Sequence, residues 1–140
     1  MKTNDRSERL RSAGLVPTIQ RLAVMEHLEK TDAHPTADEV HHAVLRKFPS
    51  ISRATVYNTL DALTKAGIVR RLSVDPSVAR YDADLGAHAH LRCRICERVL
   101  DLEMSDGHPA SLKKSGHRIE SIRTYAYGVC ADCLAKAKEA

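Results

Sequence analysis

Apolar residues in the first half of the chain recur at helical spacing between clear stops. A short polar stretch from Arg6 to Ala13 reads as a helix ending at Gly14, a residue suited to the left-handed position after a helix. Pro17 and Thr18 open a second helix, with Ile19, Leu22, Met25 and Leu28 along one face. Thr36 and Glu39 have the spacing of a capping box, which predicts a third helix to about Lys47 with Val40, Val44 and Phe48 on its apolar face. Pro49 breaks that helix, and Ser52 caps a fourth, RATVYNTLDALTKA. Val56, Leu60 and Leu63 form its buried stripe, and Gly67 ends it. Residues 68–74 and 78–82 then alternate like two strands joined by Asp75, Pro76 and Ser77. Helices followed by a β-hairpin are the order of a winged helix-turn-helix, placed here at residues 1–82.

The second half, residues 83–140, changes character. HAHLRCRIC and ERVLDLEM read as strands around a cysteine-containing turn, and DGHPASLKKSG as a short helix or loop. HRIESIRTYAYGV alternates like a strand, and the tail CADCLAKAKEA is helical. The expected fold class is therefore α+β, a winged helix followed by a small α/β domain.

Two modules of this size in 140 residues each have a thin core, so a staple or a partner subunit is expected. Hydrophobic residues at 43% and charged residues at 29% are a globular composition. No run approaches the roughly 20 apolar residues of a membrane span, and the N-terminus has no apolar secretory core. A cytoplasmic location without membrane attachment is the expectation. The net charge of +4 permits nucleic-acid binding without establishing it. Four Tyr, one Phe and no Trp argue against gripping single strands by base stacking.

Four Cys and eight His are the unusual part of the composition. Cys93 and Cys96, with Cys130 and Cys133, form two C-x-x-C knuckles able to surround one structural Zn²⁺. A dithiol redox pair is the alternative, but it explains one knuckle and leaves the other idle. His88 and His90, two apart on a strand, point to one face. Hairpin pairing brings Asp101 within a residue or two of His90, and Asp82 ends the preceding strand. Surface or packing histidines are the commoner explanation of an isolated H-x-H; with both carboxylates nearby, the set suits Fe²⁺, Mn²⁺ or Zn²⁺. On the fourth helix, Arg53, Thr55, Tyr57 and Asn58 have the chemistry to read base edges of double-stranded DNA. Arg21, Lys65, Arg70 and Arg71 supply charge for its phosphates. A solvated polar helix face is the bland reading of the same residues. His27, His41, His42, His108 and His117 are expected to be solvated, capping or structural.

Taken together, AGLVPTIQR, AHPTADEVHHAV, FPSISRATVYNTLDALTKAGIV, ARYD, HAHLRC, ICERVLDLE and YGVCADC resemble the ferric uptake regulator superfamily over nearly the whole chain. The resemblance implies a winged-helix DNA-binding domain and an α/β dimerisation domain, acting as a homodimeric repressor on a palindromic operator. It implies structural zinc on the four cysteines. It also implies a regulatory Fe²⁺ or Mn²⁺ site made of His34, Asp82, His88, His90 and Asp101, which gives His34 a role its position before Pro35 does not suggest. Arg21 is carried over as a phosphate contact, and Arg53, Thr55, Tyr57 and Asn58 as groove contacts.

Within the superfamily, the ligand set resembles the peroxide-sensing branch. The iron-uptake branch commonly has Glu where Asp101 stands, and further ligands where Ala87, Ala89 and Ile122 stand. A zinc-uptake sensor is expected to use a Cys among its regulatory ligands, and none is available. Val16 replaces a basic residue common in the family, which shifts DNA specificity toward the fourth helix. The implied mechanism is oxidation of a histidine ligand by peroxide at the bound iron, followed by release of DNA. The rival readings are an iron-uptake repressor answering reversibly to metal occupancy, a zinc-stapled interaction module, and a cytosolic dithiol oxidoreductase using the C-x-x-C pairs.

Overall fold

Three of the four helices of the first half begin at a hydroxyl cap, and two end at a glycine in the left-handed region. A computed structural model describes residues 3–86, 88–104, 112 and 114–139, in two units, Met1–Leu85 and Gly86–Ala140. In the first unit, α1 (Thr3–Ser12) closes with Gly14 at φ +78°. There Leu15 N–H donates to Leu10 O and Gly14 N–H to Arg11 O, the paired bonds of a Schellman cap. Helix α2 (Ile19–Lys30) is capped by Thr18, whose hydroxyl oxygen accepts from Arg21 N–H. It buries Val24, Met25 and Leu28.

Ile19, expected on that stripe, is 61% exposed. At about 100° per residue it lies nearly opposite the arc that Val24, Met25 and Leu28 share, so the true stripe starts one turn later. Helix α3 (Ala37–Leu45) carries the expected capping box: Glu39 N–H donates to Thr36 Oγ1, and the Thr36 hydroxyl reaches Glu39 Oε1. The helix stops at Leu45, slightly before the expected end, and a tight turn bonds Lys47 and Phe48 N–H back to Val44 O. Helix α4 (Arg53–Lys65) starts at Ser52, which accepts from Thr55 N–H, and buries Val56, Thr59, Leu60 and Leu63.

Strands β1 (Arg70–Leu72) and β2 (Arg80–Asp82) pair antiparallel with Arg71 opposite Tyr81. Both are shorter than the alternation predicts. Ile68 and Val69 are buried, but their N–H groups return to Leu63 O at the end of α4 and so never join the ladder. One apolar cluster joins Leu10, Val24, Met25, Leu28, Val40, Val44, Val56, Leu60 and Leu63 to the underside of the hairpin at Val69 and Tyr81.

In the second unit, β3 (His88–Cys93) is the centre of a three-stranded sheet. It pairs antiparallel with β4 (Val99–Glu103) and parallel with β5 (Thr124–Gly128). The strand expected over residues 117–129 forms only from Thr124. Thr124 stands opposite Ala89, one residue into β3, so the described residues before Arg123 lie beyond the start of the strand that β5 pairs with. Helix α5 (Ala131–Glu139) follows. Most of DGHPASLKKSG, including His108, lies outside the described residues, as does Ala87. Among the described residues no helix is long and apolar enough to cross a membrane.

Candidate metal centre

The two cysteine knuckles come from unrelated local structures. Cys93 ends β3 and Cys96 follows in a tight turn, whereas Cys130 directly precedes α5 and Cys133 lies in its first turn. Arg94 N–H donates to Gly128 O, which ties the first turn to the end of β5 and brings the knuckles together. All four sulfurs lie within 4.8 Å of one another. Tetrahedral Zn–S bonds of about 2.3 Å place sulfurs about 3.8 Å apart. Cys93 Sγ to Cys133 Sγ and Cys96 Sγ to Cys130 Sγ are both 3.8 Å. That is far beyond a disulfide bond length, and all four cysteines are free. The donor set therefore fits Zn²⁺.

The surroundings are also built for thiolates. The backbone N–H of Cys130 donates to Cys93 Sγ and holds that thiol down to about 6. Cys133, hydrogen-bonded to the neighbouring Cys130 sulfur, is pushed up to about 12. Arg98 donates from Nε to Cys96 Sγ (3.3 Å) and from Nη2 to Cys130 Sγ (3.6 Å), and it pairs with Asp132 at 2.9 Å. These bonds lower the Cys96 pKa and raise that of Arg98. Arg98 was not singled out by sequence, although its place two residues after Cys96 is the available signal.

A nitrogen–oxygen donor set appears in each unit. In the first, His34 Nε2 lies 3.6 Å from Asp82 Oδ2, and both residues are buried. His34 has φ +52°, a left-handed conformation uncommon for a residue with a side chain. The segment is strapped in place: Tyr81 N–H donates to Pro35 O, Thr36 bridges to Arg80, and Arg80 Nη1 donates to His34 O at 3.1 Å. Asp82 Oδ1 in turn accepts from Asp84 N–H.

In the second unit, the ladder sets His90 directly opposite Asp101. Asp101 Oδ1 lies 3.2 Å from His88 Nε2 and 3.4 Å from His90 Nε2, and the two Nε2 atoms are 2.9 Å apart. His88 Nδ1 is 2.8 Å from Gly86 O, which can only accept. Nδ1 therefore carries the proton and leaves the Nε2 lone pair for a cation, the usual arrangement of a ligating imidazole.

The residues expected to read DNA are distributed differently. Arg53, Tyr57 and Asn58 lie exposed on α4. Thr55 is partly withdrawn, its hydroxyl 2.8 Å from Ser52 Oγ at the helix start. Arg21 stands on α2 and spends Nη1 on Val16 O. Of the other histidines, His41 Nε2 bonds Ile51 O, His27 is half-buried with its pKa lowered by that burial, and His42 and His117 are exposed.

The chain matches the ferric uptake regulator family over residues 12–127. It belongs to that family. Among its relatives is the peroxide operon regulator of Bacillus subtilis, 36% identical over 92% of this chain and 91% of the relative. Another is the peroxide-responsive repressor PerR of Staphylococcus epidermidis, 37% identical over 89% and 85%. Among solved structures, the peroxide stress regulator of Campylobacter jejuni is 29% identical with a TM-score of 0.69, covering 95% of this chain and all of that one. The family and these relatives support a metal-dependent transcriptional repressor.

Proposed function

We propose that this protein is a homodimeric repressor that releases a palindromic operator when peroxide oxidises one of its metal-ligating histidines. Residues 1–82 bind DNA, and residues 83–140 dimerise and carry structural zinc on Cys93, Cys96, Cys130 and Cys133. His34 and Asp82 of the first unit, with His88, His90 and Asp101 of the second, hold one regulatory Fe²⁺ or Mn²⁺. The observation that carries this reading is the meeting of His88 Nε2, His90 Nε2 and an Asp101 carboxylate oxygen, with no sulfur in the set. Imidazole and carboxylate donors suit Fe²⁺ and Mn²⁺, whereas the thiolates suit zinc.

The chain's own residues do most of the work. Arg80 and the bridge at Thr36 hold His34 beside Asp82, and the Gly86 carbonyl fixes the His88 tautomer. Fe²⁺ held by these residues would supply the electrons that split the O–O bond of peroxide, one oxygen leaving as water and the other being available to an adjacent side chain. His34 or His88 takes up that oxygen and becomes a poorer ligand, so the constraint on the DNA-binding unit is lost. The similarity to peroxide-responsive repressors supports this over reversible iron sensing. Convergence of both knuckles on one cluster supports structural zinc over a dithiol oxidoreductase.

The test is peptide mass spectrometry after the Fe²⁺-loaded protein meets peroxide. A gain of one oxygen on His34 or His88, with parallel loss of DNA binding, is expected. Oxygen found only on cysteines defeats the histidine mechanism.

A further inference from the structure

Arg53 and Tyr57, two of the residues assigned to the DNA groove, share a single acidic partner. Arg53 Nε lies 2.8 Å from Asp38 Oδ1, and Arg53 Nη2 donates to Asp38 Oδ2 at 3.1 Å. The Tyr57 hydroxyl donates to Asp38 Oδ1 at 3.2 Å, and Arg53 Nη2 also reaches Tyr57 Oη at 3.3 Å. The guanidinium stands over the Tyr57 ring, 5.4 Å from its centre. Asp38 comes from the first turn of α3, where a carboxylate is favoured by the helix dipole. It faces α4 across the helix-turn-helix.

The fold does not need this pair. Its side chains are 55% and 63% exposed, and exposed ion pairs contribute little to stability. Asp38 also places a negative charge beside residues meant to approach phosphates, which costs nonspecific affinity. What it gains is orientation. The carboxylate occupies the Nε/Nη2 edge of Arg53 and leaves Nη1 outside that pair. A guanidinium and a phenol fixed before contact lose less side-chain entropy on meeting a base edge.

We propose that Asp38 is a specificity-determining residue of the DNA-binding face. It braces Arg53 and Tyr57 for base contact and discourages Arg53 from gripping phosphate at other sequences. The inference rests on the DNA-binding reading above.

The test uses the full-length, zinc-containing, Mn²⁺-loaded protein and two duplexes, read by fluorescence anisotropy across a salt series. One duplex is a palindrome selected from a random library by the wild-type protein, and the other is a mixed sequence lacking it. Asp38→Asn is expected to tighten mixed-sequence binding several-fold and to steepen its log affinity against log salt by about 1. The ratio between the two duplexes is expected to fall about tenfold. Asp38→Glu keeps the charge but displaces its partners, so it lowers the ratio without tightening mixed-sequence binding. In the Arg53→Gln background, Asp38→Asn adds no further loss of discrimination.

An unchanged ratio in Asp38→Asn overturns the proposal, as does an undiminished effect in the Arg53→Gln background. If the wild-type protein selects no duplex, the DNA-binding reading itself falls. Selection by the wild type with a flat Asp38→Asn response removes only the role of Asp38.

Discussion

The first unit buries Leu10, Val24, Val40, Val56, Leu60 and Leu63 completely inside one apolar cluster. Among the described residues of the second, the buried apolar side chains are only Ala89, Cys93, Val99 and Cys130, and two of these are thiols. The same chain thus uses two kinds of cohesion. Area removed from water holds the helices, at roughly 25 cal/mol for each Å² of apolar surface. The sheet and its terminal helix have little such area, and four sulfurs gathered within 4.8 Å of one another take its place. On the proposed reading, the contrast also separates rigidity from regulation. The zinc-type site ties β3 to α5 within one unit, while the nitrogen–oxygen donors sit on strands and a strapped loop, where a change of ligand can be felt.

The largest expected effect follows from removing the staple. Chelation of zinc, or Cys93→Ser, is expected to unfold residues 86–140 while the helical unit stays folded, since structural zinc contributes on the order of 10–16 kcal/mol in small domains. Residue-resolved NMR or hydrogen exchange measures this. Loss of both units together, or of neither, breaks the comparison.

The converse change lies in the apolar core. Leu60 is fully buried on α4, so Leu60→Ala is expected to cost about 2–5 kcal/mol in the first unit. Zinc content measured by atomic absorption should stay constant in that variant. A drop in bound zinc would mean that the two kinds of cohesion are not separate.

The smallest effect sharpens the account of the knuckle turn. Glu97 has φ +63° immediately after Cys96, and its N–H closes the turn onto Cys93 O. Glycine adopts that conformation without strain, so Glu97→Gly is expected to stabilise the second unit by up to about 1 kcal/mol. Thermal unfolding of the zinc-loaded protein reads the difference. A lowered melting temperature would show that the Glu97 side chain contributes something the geometry does not reveal.

Much of this architecture was legible before any coordinates. Thr36, Ser52, Gly14 and Gly67 announce helix boundaries because capping is local chemistry between residues a few positions apart. The cysteine spacing announces a metal site for the same reason, and the two-residue period of a strand puts His88 and His90 on one face. Ile19 misled because a strict three-residue spacing drifts by about 60° at each step, so three steps back from Leu28 reach the other side of the helix. The supposed strand upstream of Thr124 misled because alternation cannot say whether a partner strand reaches that far.

The residues that sequence reasoning passed over are those whose meaning lies in a distant neighbour. Arg80 matters because it donates to the carbonyl of His34, Arg98 because two thiols from separate knuckles meet it, and Asp38 because α4 packs across α3. Apart from the place of Arg98 two residues after Cys96, nothing in their local sequence distinguishes them from other charged residues.

What the sequence determined by itself was the set of elements, their caps and the types of ligand, since backbone capping, side-chain period and donor chemistry act over a few residues. What only the tertiary structure decided was which donors meet. The exact opposition of His90 and Asp101, the pairing of His34 with Asp82 and the closing of two knuckles on one point all depend on strand register and chain crossing. Register and crossing are set by the packing of whole elements, and no short stretch of residues contains that information.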